Sequence, residues 1–133
     1  MIVVRSYEAI VEHAFRARHA VRLEDGAFEE PHEHDWRVAA TFRSSRLAEP
    51  MGVVIDFVKV KRALEAATAD LANADLNEHA AFADKGAAAE RVAELIAGRL
   101  ARRLGPEANG AELYRLGVTE APGCEAAYYP HGR

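Results

Sequence analysis

The chain is nearly devoid of cysteine. Cys124 is the only one in 133 residues, so no intrachain disulfide can form. That usage suits a reducing compartment, and the expected location is cytoplasmic. Long apolar runs are also missing. No stretch approaches the roughly 18 residues that a membrane-spanning helix needs. The opening Met1-Ile2-Val3-Val4-Arg5 has no extended apolar segment with a cleavage site, so no signal peptide is expected. Basic residues are not in excess. Lys and Arg number 17 against 21 Asp and Glu, giving a net charge of −4. Their scatter along the chain argues against a nucleic-acid surface. Repeats and low-complexity linkers are absent, which points to a single domain over residues 1–133. A domain of this size buries a sizeable core without staples.

What is present is alternation, then helical spacing, then alternation again. In residues 9–21, His13, Phe15, Ala17, His19 and Val21 share one face, with Glu12, Arg16 and Arg18 opposite. This is the period of a strand. Residues 22–31 carry turn formers and charge and form a loop. Alternation resumes over residues 32–43, where His34, Trp36, Val38, Ala40 and Phe42 share a face. Pro50-Met51-Gly52 breaks the pattern. Asp56 is placed to cap a helix, after which Phe57, Val60, Leu64, Ala67 and Leu71 recur at helical spacing. A polar stretch from Asn73 to Gly86 leads to a second helix, Ala87 to Leu104, which Gly105-Pro106 ends. Tyr114, Leu116 and Val118 alternate, Pro122-Gly123 turns the chain, and Cys124 to Tyr129 returns. Strand, strand, helix, helix, strand, strand is an α+β order, with two helices on one face of a four-stranded antiparallel sheet. Such a sheet has two open edges, which a symmetric oligomer pairing strands edge to edge would close.

The chemistry lies in the histidines. His32 and His34 are two apart on a strand, so their side chains project from one face. His19 closes the preceding strand and needs only to be its neighbour to complete a triangle. Three protein ligands with a fourth position open is the arrangement of catalytic rather than structural zinc. Spacing alone leaves a second reading open, in which these are partly buried strand histidines with hydrogen-bonded rings. Other groups have plain readings. Trp36 falls at a core position, and Asp56 is a cap. Arg99, Arg102 and Arg103 suit a solvated helix end. His13 is a core or interface histidine, and His131 lies in the tail. Asp75 and His79, four apart in the polar stretch, offer a candidate proton-transfer pair.

Five blocks in order carry a family resemblance. Phe15-Arg16-Ala17-Arg18-His19 resembles F-x-A-x-H. His32-Glu33-His34-Asp35-Trp36-Arg37-Val38 resembles H-G-H-x-[YW]-x-[VL]. Gly52-Val53-Val54-Ile55-Asp56-Phe57 with Lys61 resembles G-x-[VI]-x-D-F-x-x-[LI]-K. Leu76-Asn77 follows, and then Val118-Thr119-Glu120-Ala121-Pro122 with Tyr128. Together they resemble the 6-pyruvoyltetrahydropterin synthase and 6-carboxytetrahydropterin synthase family, with this chain a divergent member. The resemblance implies the tunnel fold, in which ββααββ subunits join their sheets into a barrel, usually a homohexamer of two trimers. It implies Zn2+ on His19, His32 and His34, and Glu120 gripping the guanidine-like edge of a pterin ring. A carboxylate accepts two parallel hydrogen bonds from adjacent N–H donors, and zinc lowers the pKa of side-chain hydroxyls. The implied activity is that of a zinc-dependent lyase on the side chain of a dihydropterin.

The departures fall on the proton-transfer groups. The family's catalytic Cys, four residues before the His-x-His pair, is Phe28 here. Its Asp-His pair falls on Ala72 and Asn73. General acid–base groups typically contribute about 10²–10⁴-fold to rate, so their loss predicts altered chemistry. Glu29 and Glu30 directly follow Phe28, and some relatives use a Glu in this loop for a retro-aldol cleavage. Either carboxylate is a candidate base, with loop charges facing water as the alternative. Two further readings remain open: a differently specific enzyme for a purine-like substrate, and a non-catalytic protein binding a pterin-like ring.

Overall fold

The computed structural model describes residues 5–133. Two long strands, β1 (Tyr7–His19) and β2 (His32–Ser44), pair antiparallel in a continuous register from Tyr7↔Ser44 to His19↔His32. Helices α1 (Phe57–Thr68) and α2 (Ala89–Leu104) follow, then β3 (Glu112–Ala121) and β4 (Cys124–Tyr128). The four strands form one antiparallel sheet in the order β1-β2-β3-β4. This is the expected α+β, ββααββ architecture.

Alternation decides which face meets the helices. Val11, Phe15, Ala17 and His19 of β1 and Trp36, Val38, Ala40 and Phe42 of β2 are buried. They pack with Val60 and Leu64 of α1 and with Val92, Ile96 and Leu100 of α2. The other face is charged. There Arg16 bridges Glu33 at 2.7 Å and Asp35 at 3.1 Å across β1 and β2. Glu33, which separates the two strand histidines, thus points away from them.

The local boundaries have physical causes. Asp56 caps α1 by accepting from Val58 N–H at 2.9 Å. Phe57, expected in the core, is 55% exposed at the first position of that helix. The helix stops at Thr68 rather than reaching Leu71. Beyond it Asn73 takes a left-handed φ of 61°, and its N–H reaches Arg16 O on β1. His13 anchors the same helix end, with Nε2 3.0 Å from the Thr68 hydroxyl. β1 ends at His19 rather than at Val21 because other groups claim the next amides. The Asn77 side chain accepts from Ala20 N–H and donates to Ala20 O, at 2.7 and 2.9 Å. The Glu29 carboxylate accepts from Val21 N–H at 2.9 Å. Segment 73–77 therefore lies along the end of the β1 edge, where Arg18 N–H also reaches Ala74 O at 2.9 Å. Among the described residues no strand pairs with the remaining β1 edge, Tyr7–Phe15, or with the outer edge of β4.

Candidate metal centre

The register of the β1–β2 hairpin brings the histidines together. His19 is the cross-strand partner of His32, and His34, opposite Ala17, follows on the same face. One ligating nitrogen from each of the three rings lies within 4.8 Å of the others. Trp36 closes the floor, its ring 4.8 Å from that of His19 in an edge arrangement. The indole N–H donates to Ala17 O at 3.2 Å.

Backbone carbonyls set the tautomers. His19 Nδ1 lies 2.8 Å from Ala87 O, and His32 Nδ1 lies 3.0 Å from Glu30 O. A carbonyl only accepts, so each Nδ1 carries the proton and each Nε2 presents a lone pair. Those two Nε2 atoms are 3.1 Å apart. Glu120 adds Oε2 at 3.2 Å from His19 Nε2. Among the described residues that buried oxygen meets no hydrogen-bond donor, as expected if the nearest nitrogen is itself an acceptor. Three electron-rich atoms converging in this way need a positive charge between them, either a proton on a ring or a cation. Partial burial, followed by the charges of His32 and His19, holds His34 below the ordinary histidine range, with Glu120 and Glu29 opposing. A neutral imidazole is the form that binds metal. Nδ1–H to a carbonyl is also the usual outer-sphere support of a metal-binding histidine. The donor set therefore fits zinc.

The loop carboxylates separate clearly. Glu29 is about one-third exposed, its Oε1 3.7 Å from His32 Nε2 while accepting from Val21 N–H. Glu30 serves the site through its carbonyl. Phe28, 44% exposed, stacks under the Arg22 guanidinium at 5.0 Å. Ala72 packs on the core, and Asn73 is spent on its backbone bond to β1. Neither carries a group that titrates near neutrality.

The proposed pairing of Asp75 with His79 does not occur. Asp75 caps a short 3-10 turn by accepting from Asn77 N–H at 3.0 Å. His79 instead pairs with Asp70. Its Nδ1 accepts from Ala81 N–H, so Nε2–H donates to Asp70 Oδ2 at 2.8 Å. Arg99, read from the sequence as part of a solvated end, forks onto the same carboxylate at 2.6 and 3.1 Å. The Arg99 fork, helped by His79, lowers the Asp70 carboxyl to about 2. Because the folded value is depressed, its contribution is present above the ordinary carboxyl range. It is lost as pH falls from about 4 toward 2. Asp70 is half exposed, so solvent screening leaves about 0.5–1 kcal/mol. Asp70→Asn is expected to remove that part of the acid dependence, read as the difference between the two proteins' urea midpoints at pH 7 and pH 3. An unchanged difference would discard this assignment. Sequence offers no signal for a triad whose members lie in three separate segments. It offers none for the Ala87 and Glu30 carbonyls either, since any residue supplies a carbonyl.

The 6-pyruvoyl tetrahydropterin synthase family pattern matches residues 8–131. No curated protein sequence matches significantly. Solved structures do match. The Caenorhabditis elegans 6-pyruvoyl tetrahydropterin synthase superposes with a TM-score of 0.81 at 18% identity, covering 97% of this chain and 99% of that one. The Plasmodium vivax 6-pyruvoyl tetrahydropterin synthase gives 0.73 at 17% identity, covering 93% and 97%. Replacements of one glutamate in that protein are catalytic-residue mutants. An uncharacterized protein from Wolinella succinogenes gives 0.72 at 15% identity, covering 95% and 99%. Identities this low speak for the fold alone. The family pattern, spanning nearly the whole length, goes further: the chain belongs to the 6-pyruvoyl tetrahydropterin synthase family.

Proposed function

We propose that this protein is a zinc-dependent lyase acting on the side chain of a dihydropterin, with chemistry altered from the family's usual reaction. The observation that carries the reading is the convergence of His19 and His32 through Nε2 atoms 3.1 Å apart, each ring held by a backbone carbonyl at its Nδ1, beside His34. His19, His32 and His34 hold the metal. Zinc there supplies Lewis acidity toward the hydroxyls of the substrate side chain. Glu120, at the end of β3, accepts from adjacent N–H donors of the ring.

The base must come from elsewhere than residues 28, 72 and 73. Glu29 is the better placed of the two loop carboxylates. Val21 N–H holds Oε1, the oxygen that lies 3.7 Å from His32 Nε2, so the carboxylate is fixed beside the histidines and keeps its second oxygen to accept a proton. Glu30 is the second candidate on the same loop. A catalytic glutamate in the Plasmodium vivax relative supports a carboxylate in this role. Such a base suits carbon–carbon cleavage by a retro-aldol step: the carboxylate takes the outer hydroxyl proton, that carbon leaves as an aldehyde, the electron pair of the broken bond passes toward the ring, and the ring-side carbon regains the proton from the carboxyl group. The free thiol of Cys124 suits a reducing cytoplasm. The open β1 and β4 edges suit a homohexamer built as two trimers, with no nucleic-acid or membrane partner.

The test is direct. Purified chain with zinc and 7,8-dihydroneopterin, free or as the triphosphate, is expected to give a new chromatographic product that a metal-free control lacks. Glu29→Gln is expected to slow it by about 10²–10⁴-fold, and Glu30→Gln by much less. Equal rates in both variants would dismiss Glu29 as the base. The replaced proton-transfer positions favour one second reading, a protein that binds a pterin or purine-like ring without turnover. Saturable binding with no product from any of these compounds would select it.

A further inference from the structure

Glu120 stands closer to the histidines than gripping the far edge of a ring requires. Its Oε2 is 3.2 Å from His19 Nε2. A zinc–imidazole bond is about 2.0–2.1 Å, so an ion on that nitrogen lies within about 5.3 Å of the oxygen, given the 3.2 Å separation. Bonds of that length in a tetrahedral site put neighbouring donor atoms about 3.3 Å apart. The spacing from His19 Nε2 to His32 Nε2 is 3.1 Å, and that from His19 Nε2 to Glu120 Oε2 is 3.2 Å. Each pair, taken by itself, has the spacing of two donors on one ion. Carboxylate oxygen is a normal zinc donor at about 2.0–2.2 Å. Among the described residues nothing else engages this oxygen, which is buried without a donor. A carboxylate so placed costs stability unless a cation or a ligand compensates it. The mutual 4.8 Å group contains the three imidazoles alone, so the carboxylate sits at its rim, on the His19 side. A rim position lets it approach and leave by side-chain rotation.

Resting on the metal reading above, we propose that Glu120 is the exchangeable fourth ligand of the tris-histidine site. Its carboxylate occupies the ion until a ring bearing two adjacent N–H donors draws it off. One group then does two things in sequence, and ring recognition opens the coordination position that the substrate side chain takes. Charge balance supports the exchange. Three neutral imidazoles leave the ion with its full positive charge, which a carboxylate offsets. Two parallel N–H donors offer that carboxylate an alternative partner. The coupling must be reciprocal, so a bound ion also weakens the grip on the ring.

The experiment uses cobalt(II) in the full-length protein, whose visible bands report coordination, together with zinc affinity measured by chelator competition. Glu120→Gln is expected to weaken zinc binding by at least about tenfold and to shift the cobalt bands. Glu33→Gln makes the same charge change on the opposite face of β2, where Glu33 pairs with Arg16, and is expected to keep wild-type affinity. A second measurement needs no variant. Adding 2-aminopyrimidin-4-one, which has adjacent N–H donors and no side chain, is expected to change the cobalt spectrum of the wild type. Zinc affinity and spectrum unaltered in Glu120→Gln would overturn the proposal while leaving the tris-histidine reading intact, as would a spectrum indifferent to the aminopyrimidinone. Failure of the wild type to take up stoichiometric metal would overturn both.

Discussion

Substituting His19 by alanine is expected to take bound zinc from about one equivalent per chain to almost none, with affinity down by at least about 100-fold. No other residue combines so much. His19 is fully buried, its Nδ1 is fixed by Ala87 O, and its Nε2 faces both His32 and Glu120. The substitution also has a folding cost, because Ala87 O loses its donor, at about 1–3 kcal/mol. His34→Ala separates the two effects. Its ring is only partly buried, so the same loss of metal is expected with a smaller fall in the urea midpoint. Elemental analysis of untagged protein alongside denaturation curves distinguishes them. Stoichiometric zinc retained in both variants would leave the histidines as ordinary strand residues.

The largest effect on stability is expected at Trp36. It is completely buried, lies parallel to Phe15 with ring centroids 6.1 Å apart, and spends its N–H on Ala17 O. Truncation to alanine removes the biggest side chain of the core and leaves a cavity under the histidines. Large-to-small changes of this kind cost about 3–5 kcal/mol, a fall in Tm of roughly 10–20 °C for a domain of this size. Trp36→Phe keeps most of the volume and loses the hydrogen bond, so about 1–2 kcal/mol is expected. Because Trp36 supports the His19 ring, the alanine variant should also bind metal less tightly when still folded at low temperature. A loss of under 1 kcal/mol, measured by urea titration, would show that the core collapses around the gap and that the floor of the site is not rigid.

How far the sequence could be read differs from element to element. Both long strands were legible because one face is buried and the other charged, which forces a two-residue period on thirteen positions each. Asp56 was legible as a cap because the first helical turn leaves amides that a short carboxylate satisfies. Phe57 misled because helical spacing marks a face but says nothing about where on the helix the sheet stops covering it. The end of α1 misled for a related reason. Leu71 keeps the apolar spacing and is buried, yet the chain has already turned to give Asn73 N–H to Arg16 O, a contact 57 positions away in sequence.

At the site the same division holds. That His32 and His34 share a face follows from the geometry of a strand and needs no coordinates. That His19 is their neighbour depends on the register of the hairpin, which the polar loop between the strands does not announce. Discrimination between Glu29 and Glu30 also lay beyond the sequence, because adjacent acidic residues look alike until one amide, that of Val21, claims one of them. His79 shows the limit most plainly. It had a carboxylate four residues before it, but its partner is Asp70, held in place by Arg99 from the second helix.

By itself, then, the sequence determined the fold class, the faces of the strands and the side-chain types available at the candidate site, because these depend on residue chemistry and short-range periodicity. The tertiary structure alone decided which ring nitrogen of His19 and of His32 faces a backbone carbonyl, which carboxylates approach the cluster, and where each helix ends. Those depend on backbone carbonyls and amides brought together from distant segments, and such groups are the same for nearly every residue type.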